Sequence, residues 1–301
     1  MATLIAQPPA PAPPVTGLDV RLLARTNALT NTTSGLAPSH LQANLLILPA
    51  PHASDFRLLC ARNPVPCPLI GESAVPGAYS ALTSHLPNNY TAIASDVDIR
   101  RDAPRYNVYV DGRLTKEGCL DITAEWQHDH VAFLIGCSFS FEGALSAAGL
   151  PPRHTLQNRI VPMYRTQLPL CPAGVFTGST YVVSMRVYRG KEEVQRVRDI
   201  TRAYHATHGE PVDWGWDALA RLGIVDVDVP QWGDAPLTAD GRRPLSEAWA
   251  REDEIPVFWG CGVTPQEAVV RAGIEGVVMA HAPGHMVLLD CTDADVVSGG
   301  C

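Results

Sequence analysis

Apolar positions in the first part of the chain recur mostly with helical spacing. That spacing predicts helical structure from Asp19 to Leu48, interrupted at residues 32–35. Pro38 then opens a second helix that runs through LQANLLIL and stops at Pro49. It also predicts a short third helix over residues 53–62.

The following segment has a different pattern. Residues 71–98 are rich in Gly, Ser, Asn and Ala, which predicts a long covering loop. After them, YNVYVDGRL alternates apolar and polar positions around Asp111-Gly112. This pattern predicts a β-hairpin.

Two later segments share one pattern, an apolar strand followed by a tight turn and a helix. In VAFLIGCSFSFEGALSAAGL the strand ends at Gly136, and in IPVFWGCGVTPQEAVVRAG it ends at Gly260-Cys261-Gly262. In the second segment, Thr264, Pro265 and Glu267 fit the N-cap, N1 and N3 positions of a capping box. Both strands therefore close with a Gly-Cys pair.

A third strand, GVVMAH, runs into the loop APGH and continues along MVLLD, which places His281 and His285 at one rim of a sheet. Strands followed by crossover helices predict an α/β fold with a mainly parallel sheet and flanking helices. Such sheets bind ligands beyond the carboxyl ends of their strands. We therefore expect the three turns to lie together at that edge.

The segment 153–228 breaks this pattern. It predicts four elements, strands at about 159–166 and 180–188 and helices at 191–205 and 216–222. We interpret it as a smaller two-layer α+β subdomain inserted into a main α/β domain formed by residues 18–152 and 229–301. Five prolines within residues 1–17 predict an extended tail.

Composition is that of a globular enzyme or binding protein: 301 residues, of which 46% are hydrophobic and 18% charged. A formal net charge of -8 disfavours nucleic-acid binding. No apolar run reaches the roughly 18 residues of a membrane span. We expect a small-molecule partner, no nucleic acid and no membrane, and leave a homodimer open.

The eight cysteines are scattered and form no CxxC pair, so a disulfide framework and a metal knuckle are both disfavoured. The start, MATLIAQPPAPAPPV, lacks a basic region, and prolines interrupt its apolar stretch. A secretory signal is therefore not predicted, and we expect a cytoplasmic protein with reduced thiols and no metal. Nucleotide binding is disfavoured because no Walker or Rossmann fingerprint follows either strand.

The two Gly-Cys turns are candidates for binding an anion, because helix N-termini present unpaired N–H groups and a partial positive charge. Gly136, Gly260 and Gly262 would let a ligand approach closely. The alternative is that these glycines only permit tight turns.

His281 and His285 are candidates for a general base, since an imidazole pKa lies near neutrality. Pro283 and Gly284 between them rule out the regular helix of an HExxH zinc site. The alternative is that each histidine binds the backbone of its own turn.

Glu142 follows two nearby phenylalanines and is a candidate general acid, because burial raises a carboxyl pKa. The alternative is a helix N-terminal glutamate with a lowered pKa. Arg165, in the apolar VPMYRT, is a candidate bidentate anchor for a substrate carboxylate, or else the partner of a structural acid. Cys137 and Cys261 are candidate nucleophiles, although apolar surroundings more often hold inert buried cysteines.

Eight strings, in order from about residue 21 to 295, resemble one known family. They are GLAPSHLQANLLILP, RNPVPCPL, FLIGCSFSFEGAL, VPMYRT, VVSMR, HGEPV, PVFWGCGVTPQ and HAPGHM. Together they resemble the D-glutamate cyclase family, whose members also carry a hydro-lyase label. The resemblance implies a two-part α/β architecture and intramolecular dehydration of D-glutamate to 5-oxo-D-proline.

The resemblance also matches the family's motif positions to residues of this chain but assigns no catalytic role to them, so the roles that follow come from the residue types. The catalytic candidates are Glu142, His281, His285, Cys137 and Cys261, and the substrate-binding candidates are Arg165, Tyr164, Gly136, Ser138, Thr264 and Gln266. Three positions depart from the family pattern: Asp213 replaces a usual histidine, Gly260 an alanine and Ala280 a threonine. A related carboxylate metabolite therefore stays open as the substrate.

The resulting hypothesis assigns the α-carboxylate to Arg165 and the helix after Cys261, and the carboxyl group under attack to the turn at 136–138. A histidine of the HAPGH loop accepts the ammonium proton, and Glu142, protonated by burial, helps water leave. This chemistry requires no cofactor. Two alternatives stay open, a carbon–oxygen dehydratase acting on a small hydroxy acid and a non-catalytic carboxylate-binding protein.

Overall fold

A computed structural model describes residues 14–86, 93–248 and 253–297 of the chain. The strands are β1 His40–Pro49, β2 Leu69–Ser73, β3 Leu82–Ser84, β4 Tyr106–Val110, β5 Arg113–Cys119, β6 His130–Gly136, β7 Met163–Pro169, β8 Thr180–Arg189, β9 Asp213–Trp214, β10 Glu254–Gly260, β11 Val277–His281 and β12 Val287–Thr292. The helices are α1 Gly17–Arg25, α2 Ala53–Arg62, α3 Glu142–Ala147, α4 Arg153–Leu156, α5 Gly190–Thr201, α6 Ala218–Leu222, α7 Val263–Ala272 and α8 Asp293–Val296.

The strands form two sheets. The first has the order β3-β2-β6-β1-β11-β4-β5, with β12 also paired to β1, and the second has the order β7-β8-β10-β9. The central strand β1 is buried from Leu41 to Pro49. Its side chains pack alternately into two apolar clusters, with Leu45 in one and Leu46 in the other. The first sheet is therefore covered on both faces.

The α/β class is confirmed, but the prediction of a mainly parallel sheet is wrong. Every strand pairing among the described residues is antiparallel. The prediction failed because a strand buried on both faces has the same continuous apolar sequence in either type of sheet.

Two element predictions are also wrong in the first third of the chain. LQANLLIL forms strand β1 rather than a helix, because pairing on both sides and burial on both faces outweigh its helical propensity. The predicted loop 71–98 contains the end of β2 and all of β3, which pair with each other. Residues 87–92 of that segment lie outside the described residues.

Other local predictions are confirmed. Helix α2 has the predicted bounds. Strands β4 and β5 form the predicted hairpin, and both Asp111 (φ 50°) and Gly112 (φ 73°) adopt the left-handed conformation that a tight hairpin turn requires. Of the predicted tail, residues 1–13 lie outside the described residues, and α1 begins after the capping residue Thr16.

The segment 153–228 supplies three of the four strands of the second sheet, and β10, from outside that segment, pairs with β8 and β9. The division into a main domain and an insertion stays a prediction. In the part of the chain that the structure describes, no helix combines the length and apolar character needed to cross a membrane.

Candidate functional site

A narrow cavity lies where residues from the two sheets meet, and its volume of about 380 Å³ includes space that is open to solvent. The three turns at residues 137–139, 261–263 and 283–284 all line it, and we call it the three-turn cavity. Its lining residues are Asn44, Cys137, Ser138, Phe139, Ile160, Val161, Met163, Cys261, Gly262, Val263, His281, Pro283, Gly284 and Met286.

The central strand β1 brings two of the turns together. Strands β6 and β11 flank β1 and both run antiparallel to it, so both end at the same edge of the sheet. Gly136 at the end of β6 is paired with Ala43, and Ala280 near the end of β11 is paired with Leu46. The third turn follows β10 of the second sheet.

Two glycines lie where neighbouring protein atoms leave no room for a Cβ. A Cβ on Gly136 would lie 1.7 Å from the carbonyl oxygen of Ala206, and one on Gly262 would lie 1.9 Å from Nδ2 of Asn44. The same Asn44 amide donates to the carbonyl of Gly136 at 3.1 Å. Both glycines therefore serve close packing between chain segments, and Asn44 links the first turn to the second.

The ring of His281 is held through Nδ1. The backbone N–H of Leu45 donates to it at 3.1 Å, and Nε2 of Gln266 lies 2.8 Å away. The Leu45 carbonyl also lies 3.2 Å from Nδ1 and would accept a proton from it. That tautomer would leave the buried N–H of Leu45 without an acceptor, which is the more costly arrangement. We therefore place the ring proton on Nε2.

Burial lowers the pKa of His281 to about 4. The ring is therefore neutral at pH 7 and can donate a hydrogen bond through Nε2. This charge state does not suit the general base that the sequence analysis expected, because a base with so low a pKa is weak.

His285 does not line the three-turn cavity. Its Nδ1 lies 2.9 Å from the carbonyl oxygen of Pro283, and burial lowers its pKa. The ring thus binds the backbone of its own loop, the alternative that the sequence left open.

Cys137 and Cys261 both line the three-turn cavity and are free thiols. Burial raises the pKa of Cys137 to about 12 and that of Cys261 to about 11. Both are therefore protonated at neutral pH, which disfavours a nucleophilic role. The site raises the pKa of acids and lowers that of a base, so it disfavours charge of either sign.

Glu142 lies outside the three-turn cavity and is buried against two residues that the sequence analysis did not select. Nε and a terminal nitrogen of Arg186 bind its Oε1, and Nε2 of His154 lies 3.3 Å away. Burial by itself raises the pKa of Glu142, but His154 and Arg186 outweigh it and the pKa is lowered. The expectation of a carboxyl group protonated by burial is therefore wrong.

Arg186 connects Glu142 to the first turn. It is 2% exposed, and its terminal nitrogens donate to Oγ of Ser138 and Oγ of Ser184, each at 3.0 Å. The sequence signal was an arginine inside the apolar strand VVSMRVY. A charge in such a run is rarely buried without a partner.

Three other predicted residues point away from the cavity. The Arg165 side chain is 50% exposed and binds Glu267, with Nε to Oε2 at 2.9 Å. The Tyr164 hydroxyl donates to the carbonyl of Val227. Thr264 bonds the backbone of β8 and does not cap α7, whose N-cap is Gly262, so the predicted capping box is wrong. Of the predicted substrate-binding residues, Ser138 lines the cavity, while Gln266 contacts it through His281.

His208 is a further buried histidine next to the turns. It adopts a left-handed backbone conformation with φ 86°, and its Nδ1 lies 2.8 Å from the carbonyl oxygen of Val65. Burial lowers its pKa to about 4. The described residues contain no group of three or more His, Cys, Asp or Glu side chains arranged to hold a metal ion.

Comparison with known proteins identifies the family. The family model described as D-glutamate cyclase matches residues 131–290, which include all three turns. A protein of Schizosaccharomyces pombe named "Putative hydro-lyase" is 44% identical, over 91% of this chain and 84% of that protein. Proteins with the same kind of name from Bordetella pertussis (91% of this chain, 89% of that protein) and Rubrobacter xylanophilus (87% and 91%) are each 46% identical. The chain belongs to the D-glutamate cyclase family.

Proposed function

We propose that the three-turn cavity catalyses dehydrative cyclisation of a small amino dicarboxylate such as D-glutamate to 5-oxo-D-proline. The observation that carries the proposal is the burial of three titratable side chains, His281, Cys137 and Cys261, around one cavity. The pKa of His281 is lowered to about 4, whereas those of Cys137 and Cys261 are raised to about 12 and 11.

Such surroundings favour the reactive form of the substrate. In water the amine is an ammonium and the side-chain carboxyl is a carboxylate, so one is a poor nucleophile and the other a poor electrophile. An environment that disfavours both charges lowers the pKa of the ammonium and raises that of the carboxylate. The proton can then pass from nitrogen to the carboxyl group within the substrate, which leaves a free amine and a neutral acid.

The bond changes balance without an outside reagent. The amine nitrogen attacks the carboxyl carbon and the C–N bond forms; one hydroxyl group of the tetrahedral intermediate then takes a proton from the nitrogen, its C–O bond breaks, and it leaves as water. Holding the two groups in attack geometry supplies on the order of 7 to 11 kcal/mol for well-oriented reactants. In this account no side chain has to act as a nucleophile.

Two features of the cavity match the negative charges of the reaction, namely the charge that develops on the attacked carboxyl oxygen and the charge of the α-carboxylate. Nε2–H of neutral His281 is a donor for the oxygen that becomes negative during attack, as neutral imidazoles are in other enzymes. Gly262 and Val263 line the cavity at the N-terminus of the ten-residue helix α7. The partial positive charge of that helix end suits the α-carboxylate, which stays ionised throughout.

Product analysis tests this function. The purified protein is incubated with millimolar D-glutamate, and mass spectrometry together with a primary-amine assay follows the mixture. The proposal predicts loss of one water and of the primary amine together. A new ultraviolet alkene band with the amine retained would favour elimination, and no change with any amino dicarboxylate would contradict catalysis.

A further inference from the structure

Ser138 has an unusual hydrogen-bond arrangement at the wall of the three-turn cavity. Its Oγ accepts a hydrogen bond from a terminal nitrogen of Arg186 at 3.0 Å. Arginine has only donors, so the hydroxyl hydrogen of Ser138 is not used in that contact. Within the described ranges, the structure gives this hydrogen no acceptor.

Arg186 is fixed in place. The central carbon of its guanidinium group lies 5.2 Å from the ring centroid of Phe141 and 5.4 Å from that of Trp259, and these two rings contact each other. Glu142 and Ser184 bind three of its other four N–H groups. Arg186 lines the adjacent cavity formed with His154 but not the three-turn cavity, so its influence on the latter passes through Ser138.

We propose that Ser138 is a catalytic hydrogen-bond donor to the carboxyl oxygen under attack, and that Arg186 is a positioning residue that orients its hydroxyl group. This inference rests on the proposed function and adds a second donor to that of His281. It also gives Glu142 a role, since its carboxylate holds Arg186.

The chemistry favours this arrangement over direct use of the arginine. A charged donor to Oγ polarises the hydroxyl and strengthens the bond that its hydrogen makes. The full charge of Arg186 stays with Glu142 and does not stabilise a substrate carboxylate before attack. The donor therefore becomes most effective as negative charge develops on the oxygen, which is the condition for lowering a barrier.

The test compares two serine variants that each remove one hydrogen bond from the same arginine. Ser138→Ala removes the hydroxyl at the cavity, and Ser184→Ala removes one that lies outside it. We expect Ser138→Ala to lower kcat by about 10²- to 10³-fold, the usual loss for one such donor, with KM nearly unchanged. We expect Ser184→Ala to retain kcat within about fivefold.

A second measurement does not depend on turnover. The infrared carbonyl band of carbon-13-labelled 5-oxo-D-proline is recorded when it is bound to the wild type and to the variants. We expect a shift to lower frequency in the wild type and in Ser184→Ala, and loss of much of that shift in Ser138→Ala. Arg186→Lys, which keeps the charge but loses the planar geometry, should also lose much of the shift.

The outcomes separate the two proposals. Turnover in all proteins with equal kcat and equal band position would overturn the role of Ser138 and leave the proposed function standing. A bound but unreactive ligand with the expected band shifts would contradict cyclisation and support the donor. Absence of both turnover and binding in the wild type would overturn both.

Discussion

The surroundings of the His281 ring set its tautomer and its charge. The N–H of Leu45 and the amide of Gln266 at Nδ1 set the tautomer, and burial sets the charge. From the sequence alone, a histidine at the junction of a strand and a proline-containing loop was predicted to be a general base. In our proposal it is a neutral hydrogen-bond donor.

Replacing each histidine of the HAPGH loop by asparagine tests this role. We expect His281→Asn to lower kcat by about 10²- to 10³-fold, because the amide of the shorter asparagine does not place its N–H where the imidazole Nε2–H meets the developing oxyanion. We expect His285→Asn, whose ring lies outside the cavity, to stay near the wild type. The wild-type kcat should be flat between about pH 5.5 and 8, since no group near pKa 6.5 takes part. If kcat instead rises with pH around 6.5 in the wild type but not in His281→Asn, the result would support the hypothesis that His281 is a general base.

The same lowered pKa predicts a pH dependence of stability. The pKa of His281 is about 4 in the folded protein against an ordinary 6.5, so between these values the unfolded chain binds more protons. The free energy of unfolding should therefore be fully supported above about pH 6.5 and fall as pH decreases toward 4. The contribution reaches about 1.4 kcal/mol per pH unit.

Chemical denaturation of the wild type and His281→Gln from pH 4 to 7.5 measures this contribution as a difference. Taking the difference matters because burial raises the pKa of Asp293 to about 7, which acts in the opposite direction. Parallel pH profiles for the two proteins would show that His281 is not neutral by burial.

Glycine-to-alanine substitution tests the packing of the second turn. Gly262→Ala should destabilise the protein by about 1–3 kcal/mol, because its Cβ would overlap the Asn44 side chain. The matched control is Gly143→Ala in α3, where no atom lies within 4 Å of the new Cβ. Alanine there should be neutral or stabilising by up to about 1 kcal/mol. Equal unfolding midpoints for the two variants would contradict the close contact at Gly262.

Two arginines show how far single residues could be interpreted from the sequence. Arg165 and Arg186 both stand in apolar strands, and only the first was selected. Burial separates them, since the side chain of Arg165 is 50% exposed and that of Arg186 is buried. Burial depends on which strands pair and which helices cover them, so it lies beyond the local pattern.

At the scale of elements, the turns after β6 and β11 were expected to meet at one edge of a parallel sheet. They meet at one edge of an antiparallel sheet instead. Strands β6 and β11 point the same way because one strand lies between them and runs against both. The sequence predicted the two Gly-Cys turns and the β4–β5 hairpin correctly, since Gly, Pro and Asp mark turns locally. It could not distinguish sheet type, nor strand β1 from a buried helix, because both need partners distant in sequence.

The link between β7 and α7 gives a test at this scale. Arg165 and Glu267 form a partly exposed pair away from the cavity, and such pairs contribute little. Arg165→Leu should change the free energy of unfolding by less than about 1 kcal/mol and leave kcat and KM within about threefold. Loss of substrate affinity by more than tenfold would restore Arg165 as the carboxylate anchor.

At the scale of the whole molecule, the cavity depends on both sheets. Cys137 follows a strand of the first sheet, Met163 and Val182 belong to the second, and all pack in one apolar cluster with Cys261 and Met286. The sequence pattern predicted that the three turns lie together, and the fold shows why they meet. The proposed reaction needs apolar surroundings that destabilise charged groups, and residues of both sheets are required to form them.

A crystal structure with 5-oxo-D-proline tests the central claim most directly, because it locates the ligand independently of turnover. The account predicts ligand density in the three-turn cavity, with the ring carbonyl oxygen within hydrogen-bond distance of Ser138 Oγ and His281 Nε2 and the carboxylate at the N-terminus of α7. Density at another surface, or in this cavity with the carbonyl oxygen turned away from both donors, would contradict it.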